Sequence, residues 1–366
     1  EKQNEFAARS EMDNFFLCLN ESRPERIRAR VCELEQAINR QIGMMYPGTH
    51  LTFAAGCCLV TDMALDIRIV QDRARIAAQD EAAIARDRCA FYSDGIADRI
   101  KREQELDAMF DDTIANHGFQ VYFQPKVNLR SGRLEGAEAL VRWNHPTLGV
   151  ISPADFIPLF ERNGKICRLD FYVFEEVCRF YRRRQTEGKP WYPVSVNLSR
   201  YHFYEDGFLN KFYAVSQSYG LPENSIEFEL TESMFFDRTH NERIKKGIAR
   251  MHQMGFRCSM DDFGAGYSSL GILKEFDVDT LKMDRSFFLD MDSEKARDII
   301  RSVVELAAKL RMETVAEGIE QTEQMEFLHS IHCDIVQGYY FSKPLPMDEF
   351  ESWVSQYEAE KSENKD

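Results

Sequence analysis

From Phe119 onward the chain alternates short strand-like runs with longer amphipathic segments, and no other feature restricts its fold so strongly. The runs cover 119–127, 134–143, 194–198, 225–230, 257–261, 280–284, 313–316 and 335–341. Eight strands with intervening helices in about 240 residues is the arithmetic of an α/β barrel of the (β/α)8 TIM-like kind. The first two runs are joined only by Asn128-Leu-Arg-Ser-Gly132. A parallel crossover needs about a dozen residues or more, so these two must form a hairpin and one barrel strand must run antiparallel.

At 366 residues the chain exceeds one ordinary domain, and a second unit is expected before the barrel. A partial module over 1–93, a connecting helix over 94–117, the barrel over 118–356 and a charged tail over 357–366 are expected. Lys plus Arg number 46 against 61 Asp plus Glu, a formal charge of -15, which argues against a protein that coats a nucleic-acid polymer. A small anionic ligand requires only locally recruited cations. The nine cysteines include no Cys-x-x-Cys pair, as expected of reduced thiols in a cytoplasmic protein without a disulfide framework or zinc site. The uncharged run 51–61 is about half the length a membrane helix needs. No signal peptide is visible, and a first residue other than Met points to a longer protein.

In the first hundred residues, Ser22-Arg-Pro-Glu25 has capping-box spacing, and Ile27, Val31, Leu34, Ile38 and Ile42 then recur helically up to Gly43. Strands are expected at 14–19 and 51–60, and an Ala-rich helix at 66–87. Ile96, Ile100, Leu106, Phe110 and Ile114 mark a solvated connecting helix ended by Asn116-His-Gly118; the seam is too short for a sustained coiled coil.

Reacting groups in such barrels project from the C-terminal strand ends. Those ends carry Glu138, Asn197, Glu229 with Glu232, Asp261 with Asp262, Lys282, Glu317 and Gln337. Helix capping is an equal explanation for Asn197, Asp261 and Asp262 but a poor one for Glu138, Glu229 and Glu317, because glutamate caps badly. Converging carboxylates and amides form a hard oxygen cage that suits Mg²⁺ or Mn²⁺. Glu138, Glu229, Asp261 and Asp262 carry four negative charges, enough for two divalent ions bridged by Asp261. Two such ions activate a water and clamp an in-line displacement at phosphorus. Lys282 then orients that water or stabilises negative charge, and Arg142 suits a substrate phosphate.

Asp262-Phe-Gly264 matches the protein-kinase magnesium tripeptide, but neither a His-Arg-Asp nor a Gly-rich loop with a Val-Ala-Ile-Lys strand accompanies it. Gly264-Ala-Gly266 begins like a dinucleotide fingerprint, yet Ser269 stands where the third glycine belongs. The glycines instead suit a tightly turning loop beside the metals, held by Glu232.

Residues 119–356 resemble the EAL domain family of cyclic di-GMP phosphodiesterases. Glu138-Ala-Leu140, Gln124-Pro125, the Phe-Ile-Pro158 segment, Asn197, Glu229-Leu-Thr-Glu232, the Asp-Asp-Phe-Gly-x-Gly loop, Lys282, Glu317 and Gln337 match in order. The resemblance implies hydrolysis of cyclic di-GMP to linear pGpG with two Mg²⁺ or Mn²⁺ ions, and a homodimer formed near the loop after Asp262. It assigns Glu138, Asn197, Glu229, Asp261, Asp262 and Glu317 to metal, and Glu138, Lys282, Glu317 and Glu232 to catalysis. Gln124, Leu140, Arg142, Asn197, Asp261 and Gln337 fall to substrate, and Glu232, Phe263, Gly264, Gly266 and Ser268 to loop control. The N-terminal region resembles the second half of a GGDEF cyclase module. Glu11-Met-Asp-Asn-Phe15 replaces Gly-Gly-Asp-Glu-Phe, Lys2-Gln-Asn-Glu5 replaces the Arg-x-x-Asp inhibitory site, and Gln79 replaces a lysine. Such a module is degenerate and not expected to make cyclic di-GMP. The alternative is a receptor that binds the dinucleotide without cleaving it; a purely structural protein would leave Glu138, Glu229 and Glu317 without charge partners.

Overall fold

A closed ring of eight strands dominates the computed structural model, which describes residues 5–10, 14–80, 83–84, 87–236, 241–265, 270–291 and 293–363. The chain divides into two compact units, Glu1–Met109 and Phe110–Asp366.

In the first unit, strands β1 (Phe6–Arg9) and β2 (Phe15–Cys18) form an antiparallel hairpin, while β3 (Ala55–Cys57) pairs in parallel with β4 (Cys89–Phe91). Three expectations need correction. The helix starts at Pro24 and runs to Met45 with Arg23 as an N-cap lacking any side-chain bond, so the capping box is not made; Glu21 accepts the Ser22 and Arg23 amides instead. Proline at the first helical position has no N–H to satisfy, which removes part of the need for a cap. The expected strand at 51–60 shrinks to Ala55–Cys57, and the Ala-rich helix covers only Ile67–Ala77, after which the Asp80 carboxylate accepts the Ala83 amide and starts a fresh turn. Phe6, Phe15, Leu17, Leu34 and Ile38 are exposed, as expected of a unit with too small a core.

The barrel comprises β5 (Phe119–Asn128), β6 (Leu134–His145), β8 (Val194–Asn197), β9 (Ile226–Thr231), β10 (Arg257–Phe263), β11 (Thr280–Met283), β12 (Glu313–Ala316) and β13 (Ile335–Gln337). Two short edge strands, β7 (Gly149–Ile151) and β14 (Leu345–Pro346), extend it beside β6 and β5. From β6 through β13 every neighbouring pair in the ring is parallel. Only β5 runs against both of its neighbours, β6 and β13, as the short hairpin link requires. Parallel neighbours are connected through helices such as Ile166–Thr186, Asn241–Gln253 and Glu294–Lys309.

Strand alternation explains where the core lies. On β9, Ile226, Phe228 and Leu230 face the helices, and Phe228 meets Phe212 and Phe256 at ring separations of 5.4 and 5.1 Å. Glu227 and Glu229, one residue out of phase, are buried inside the ring. Barrel interiors are ordinarily filled by branched apolar side chains. Here Lys126, Glu138, Ser195, Glu227, Glu229, Ser259, Asp261, Thr280 and Lys282 are all buried polar residues on ring strands.

The helix Asp94–Ala115 stops as expected: the Gly118 amide donates to Thr113 O, and His117, rather than the glycine, takes the left-handed conformation. It is not a solvated spacer at its end, because fully buried Phe110 lies 4.7 Å from the Phe160 ring and 5.9 Å from that of Phe119. Residues 357–363 of the charged tail are helical. They continue the helix Met347–Glu363, in which Tyr357 stacks on Trp353 and donates its hydroxyl to Gly132 O.

Candidate active site

Lys282 organises the C-terminal mouth of the ring. Its ammonium, 1% exposed, lies 2.7 Å from Glu229 Oε2, 2.8 Å from Glu317 Oε1, 3.0 Å from Asp261 Oδ1 and 3.7 Å from Glu138 Oε2. These groups come from the middle of β6, from β9, β10 and β11 and from the residue after β12, so neighbouring strands converge on one point. Asn197 donates to Glu138 Oε1 at 3.5 Å, and Gln337 donates to Glu138 and, at 3.0 Å, to Gln124 Oε1. Gln124 is the register partner of Glu138 across the hairpin. Gly338 permits this packing, since a Cβ there would meet Ile319 O at 2.1 Å.

Asp262 stands at the rim with φ +57°, a left-handed conformation that aspartate tolerates better than most residues and that recurs at functional positions. One oxygen from each of Asp261, Asp262 and Glu317 falls within 4.8 Å of the others. The turn beyond is held by Glu232, whose Oε2 accepts the Gly264 amide at 3.2 Å. Gly264 has φ +96° and no room for a side chain, because a Cβ would lie 1.9 Å from Phe287, whose ring stacks on Phe263. Gly266 and Ser268 lie outside the described residues. Leu140 and Arg142 continue outward from Glu138 on the same strand face, but the structure does not bring Arg142 into the carboxylate cluster; it donates to Val141 O and lies over the Tyr122 ring.

The electrostatics divide the carboxylates. Burial raises the pKa of Glu229, but Lys282 and Lys126 outweigh it and bring it down to about 2. Burial, reinforced by Glu229 and Asp261 against the pull of Lys282, pushes Glu138 up to about 7. Asp262 rises to about 6 through burial and the neighbouring Asp261. Burial also raises Asp261 and takes Glu317 well above the carboxylate range. Four of these carboxylates thus share one central lysine, with Asp262 beside Asp261 at the rim, an excess of negative charge that suits divalent cations. The donors are all oxygens, with no thiolate or imidazole among the three that lie closest, so Mg²⁺ or Mn²⁺ fits and zinc does not.

Two residues missed by the sequence reading lie beneath. Lys126 on β5 places its ammonium 2.7 Å from Ser195 Oγ, 3.1 Å from Glu229 Oε1 and 3.6 Å from Glu227 Oε1. Glu227 also accepts from Thr280 at 2.9 Å and lies 3.5 Å from Arg257. The available signal was period two: Lys126 alternates with Gln124, and Glu227 with Glu229.

Beside the mouth, Asp170 Oδ2 accepts the Ser199 amide at 2.8 Å and pairs with His202 Nε2 at 3.1 Å, fixing the segment that follows Asn197. Burial opposes the imidazolium, but the bond to Asp170, aided by Cys167, raises His202 from 6.5 to about 9. The pair therefore stabilises the fold fully below pH 6.5 and loses its contribution as pH climbs through about 9. A shift of this size corresponds to about 3 kcal/mol. Urea unfolding across pH 6.5 to 9 is expected to show the decline in wild type and to lack it in His202→Gln.

The chain thus folds as a (β/α)8 barrel with one reversed strand and an acidic, lysine-centred mouth. The EAL domain model matches residues 107–344, and the chain belongs to the EAL domain family. It is 31% identical over 308 residues to "Cyclic di-GMP phosphodiesterase NbdA" of Pseudomonas aeruginosa, covering 84% of this chain and 39% of that protein. It is 35% identical over 241 residues to "Cyclic di-GMP phosphodiesterase RocR" of the same organism, covering 66% of this chain and 61% of that one. The chain spans only about a third to two fifths of the first curated relatives it matches. Among solved structures, "PaMucR Phosphodiesterase, c-di-GMP complex" superposes with a TM-score of 0.63 at 31% identity, over 67% of this chain and 99% of that one. No helix among the described residues is long and apolar enough to cross a membrane.

Proposed function

We propose that this chain hydrolyses one phosphodiester of cyclic di-GMP, giving linear pGpG, with two Mg²⁺ or Mn²⁺ ions. The observation that carries the reading is the convergence of Glu138, Glu229, Asp261 and Glu317 on buried Lys282, with Asp262 beside them, in a family whose relatives include phosphodiesterases for that dinucleotide. Glu138, Asn197, Glu229, Asp261, Asp262 and Glu317 would hold the ions. When bound, such ions lower the pKa of water and neutralise phosphate charge. In the reaction, a water oxygen bonds to phosphorus, the bond from phosphorus to the ribose 3′ oxygen breaks, and that oxygen leaves with a proton. Lys282, an ammonium, orients the water and stabilises negative charge, and Glu317, 2.8 Å from it, accepts the water's proton. Gln124, Leu140, Arg142 and Gln337 line the approach for the dinucleotide, with Arg142 free to turn toward a phosphate by giving up its bond to Val141 O. Glu232 and Gly264 fix the turn that carries Asp262.

The N-terminal unit is a degenerate cyclase-like module in this reading, without cyclase activity, and the barrels pair as homodimers near the segment after Asp262. The test is to incubate the protein with cyclic di-GMP and Mg²⁺ or Mn²⁺ and separate the products. The expected result is pGpG, abolished by EDTA and restored by excess ion, with no cyclic product from GTP. Tight binding with no pGpG under either ion would instead make the chain a receptor. Sedimentation separately tests the dimer.

A further inference from the structure

We propose that Lys126 is a positioning residue that commits Glu229 to presenting a single oxygen to the metal cluster, an inference that rests on the two-ion reading above. Glu229 is fully enclosed, and its two oxygens are divided between two ammonium groups: Oε1 to Lys126 at 3.1 Å from below, Oε2 to Lys282 at 2.7 Å within the cluster. Lys126 is 5% exposed and comes from β5, the reversed strand, whose chain enters the ring from the mouth and reaches below it two residues after Gln124. Its register partner on β6 is Gly136, where a Cβ would meet Pro193 O at 2.5 Å.

A bland explanation is that Lys126 merely compensates buried acid. Glu227, however, already has Thr280 at 2.9 Å and Arg257 at 3.5 Å on its Oε2, and the 3.6 Å contact to its Oε1 is the longest that Lys126 makes. The lysine is itself anchored by Ser195 at 2.7 Å, which fixes the ammonium under Glu229 rather than beside Glu227. Burying an ammonium costs several kcal/mol of desolvation, in a position where barrels ordinarily use apolar residues. That cost is explained if the orientation of one ligand oxygen matters. With Oε1 held, the carboxylate cannot rotate to offer both oxygens or turn away.

The distinction is visible in ion preference. Mg²⁺ demands near-ideal octahedral geometry, whereas Ca²⁺ accepts six to eight oxygens in flexible arrangements, including bidentate carboxylates. Calorimetric titration of the full chain with each ion, without substrate, should therefore show Mg²⁺ affinity falling by about tenfold or more in Lys126→Met, the range typical of lost outer-shell partners, and Ca²⁺ affinity changing by less than about threefold. Should Lys126→Met fail to fold by circular dichroism, Ser195→Ala removes only the anchor and is expected to shift the Mg²⁺ to Ca²⁺ ratio in the same direction by about threefold. An unchanged ratio, or equal loss for both ions, overturns the inference while leaving the phosphodiesterase reading in place. A wild-type chain that binds neither ion overturns the two-ion reading and this inference with it.

Discussion

Lys282→Ala is expected to lower kcat by about 10²- to 10⁴-fold, the usual contribution of a group that moves or steers a proton in the transition state. KM should change far less, because Lys282 faces the carboxylates rather than the open side of the mouth. Arg142→Ala should show the reverse, a raised KM with a smaller effect on kcat, as its phosphate contact precedes the reaction. The lysine variant has a second signature. Glu138, Glu229, Asp261 and Glu317, the first three buried, lose a shared partner, and breaking a buried ion pair costs about 3–5 kcal/mol. Urea unfolding in EDTA should register that loss, and added Mg²⁺ should recover more stability in Lys282→Ala than in wild type. Equal proportional loss of substrate binding and rate would remove Lys282 from the chemistry.

Asp261→Ala is expected to be at least as damaging, with kcat down by about 10³-fold or more, since a bridging carboxylate serves both ions. Asp262→Ala, at the rim, should lose at least about tenfold less activity, because it can serve only one of them. The contrast rests on position: Asp261 lies inside the ring, 3.0 Å from Lys282, whereas Asp262 points out of the ring in a left-handed backbone conformation. Steady-state assays with both ions at saturation make the comparison. Wild-type activity in Asp261→Ala would rule out the bridge.

The ring and its reversed strand were legible because both follow from counting: eight apolar runs, one link too short for a crossover. The polar strand ends were legible too, since glutamate after a strand has no capping role to explain it. Lys126 and Glu227 were not, because each sits mid-strand among strong apolar neighbours such as Val127 and Phe228, and the reading attended to strand ends rather than to alternation within them. Helix bounds in the first unit failed for a different reason. Ser22 and Glu25 have the spacing of a cap, but Pro24 sets where the helix begins, and the Asp80 carboxylate restarts a turn that composition alone would have continued. Phe110 was placed on a helical face without any means of seeing that Phe119 and Phe160 close over it, since that contact joins segments distant in the chain.

Because the ring strands carry charge on one side and grease on the other, chemistry and architecture are written on separate registers of the same segments. Substituting an interior glutamate by its amide leaves Phe228, Met260 and Leu281 in their places against the helices. The barrel can thus change its interior chemistry without dismantling its scaffold.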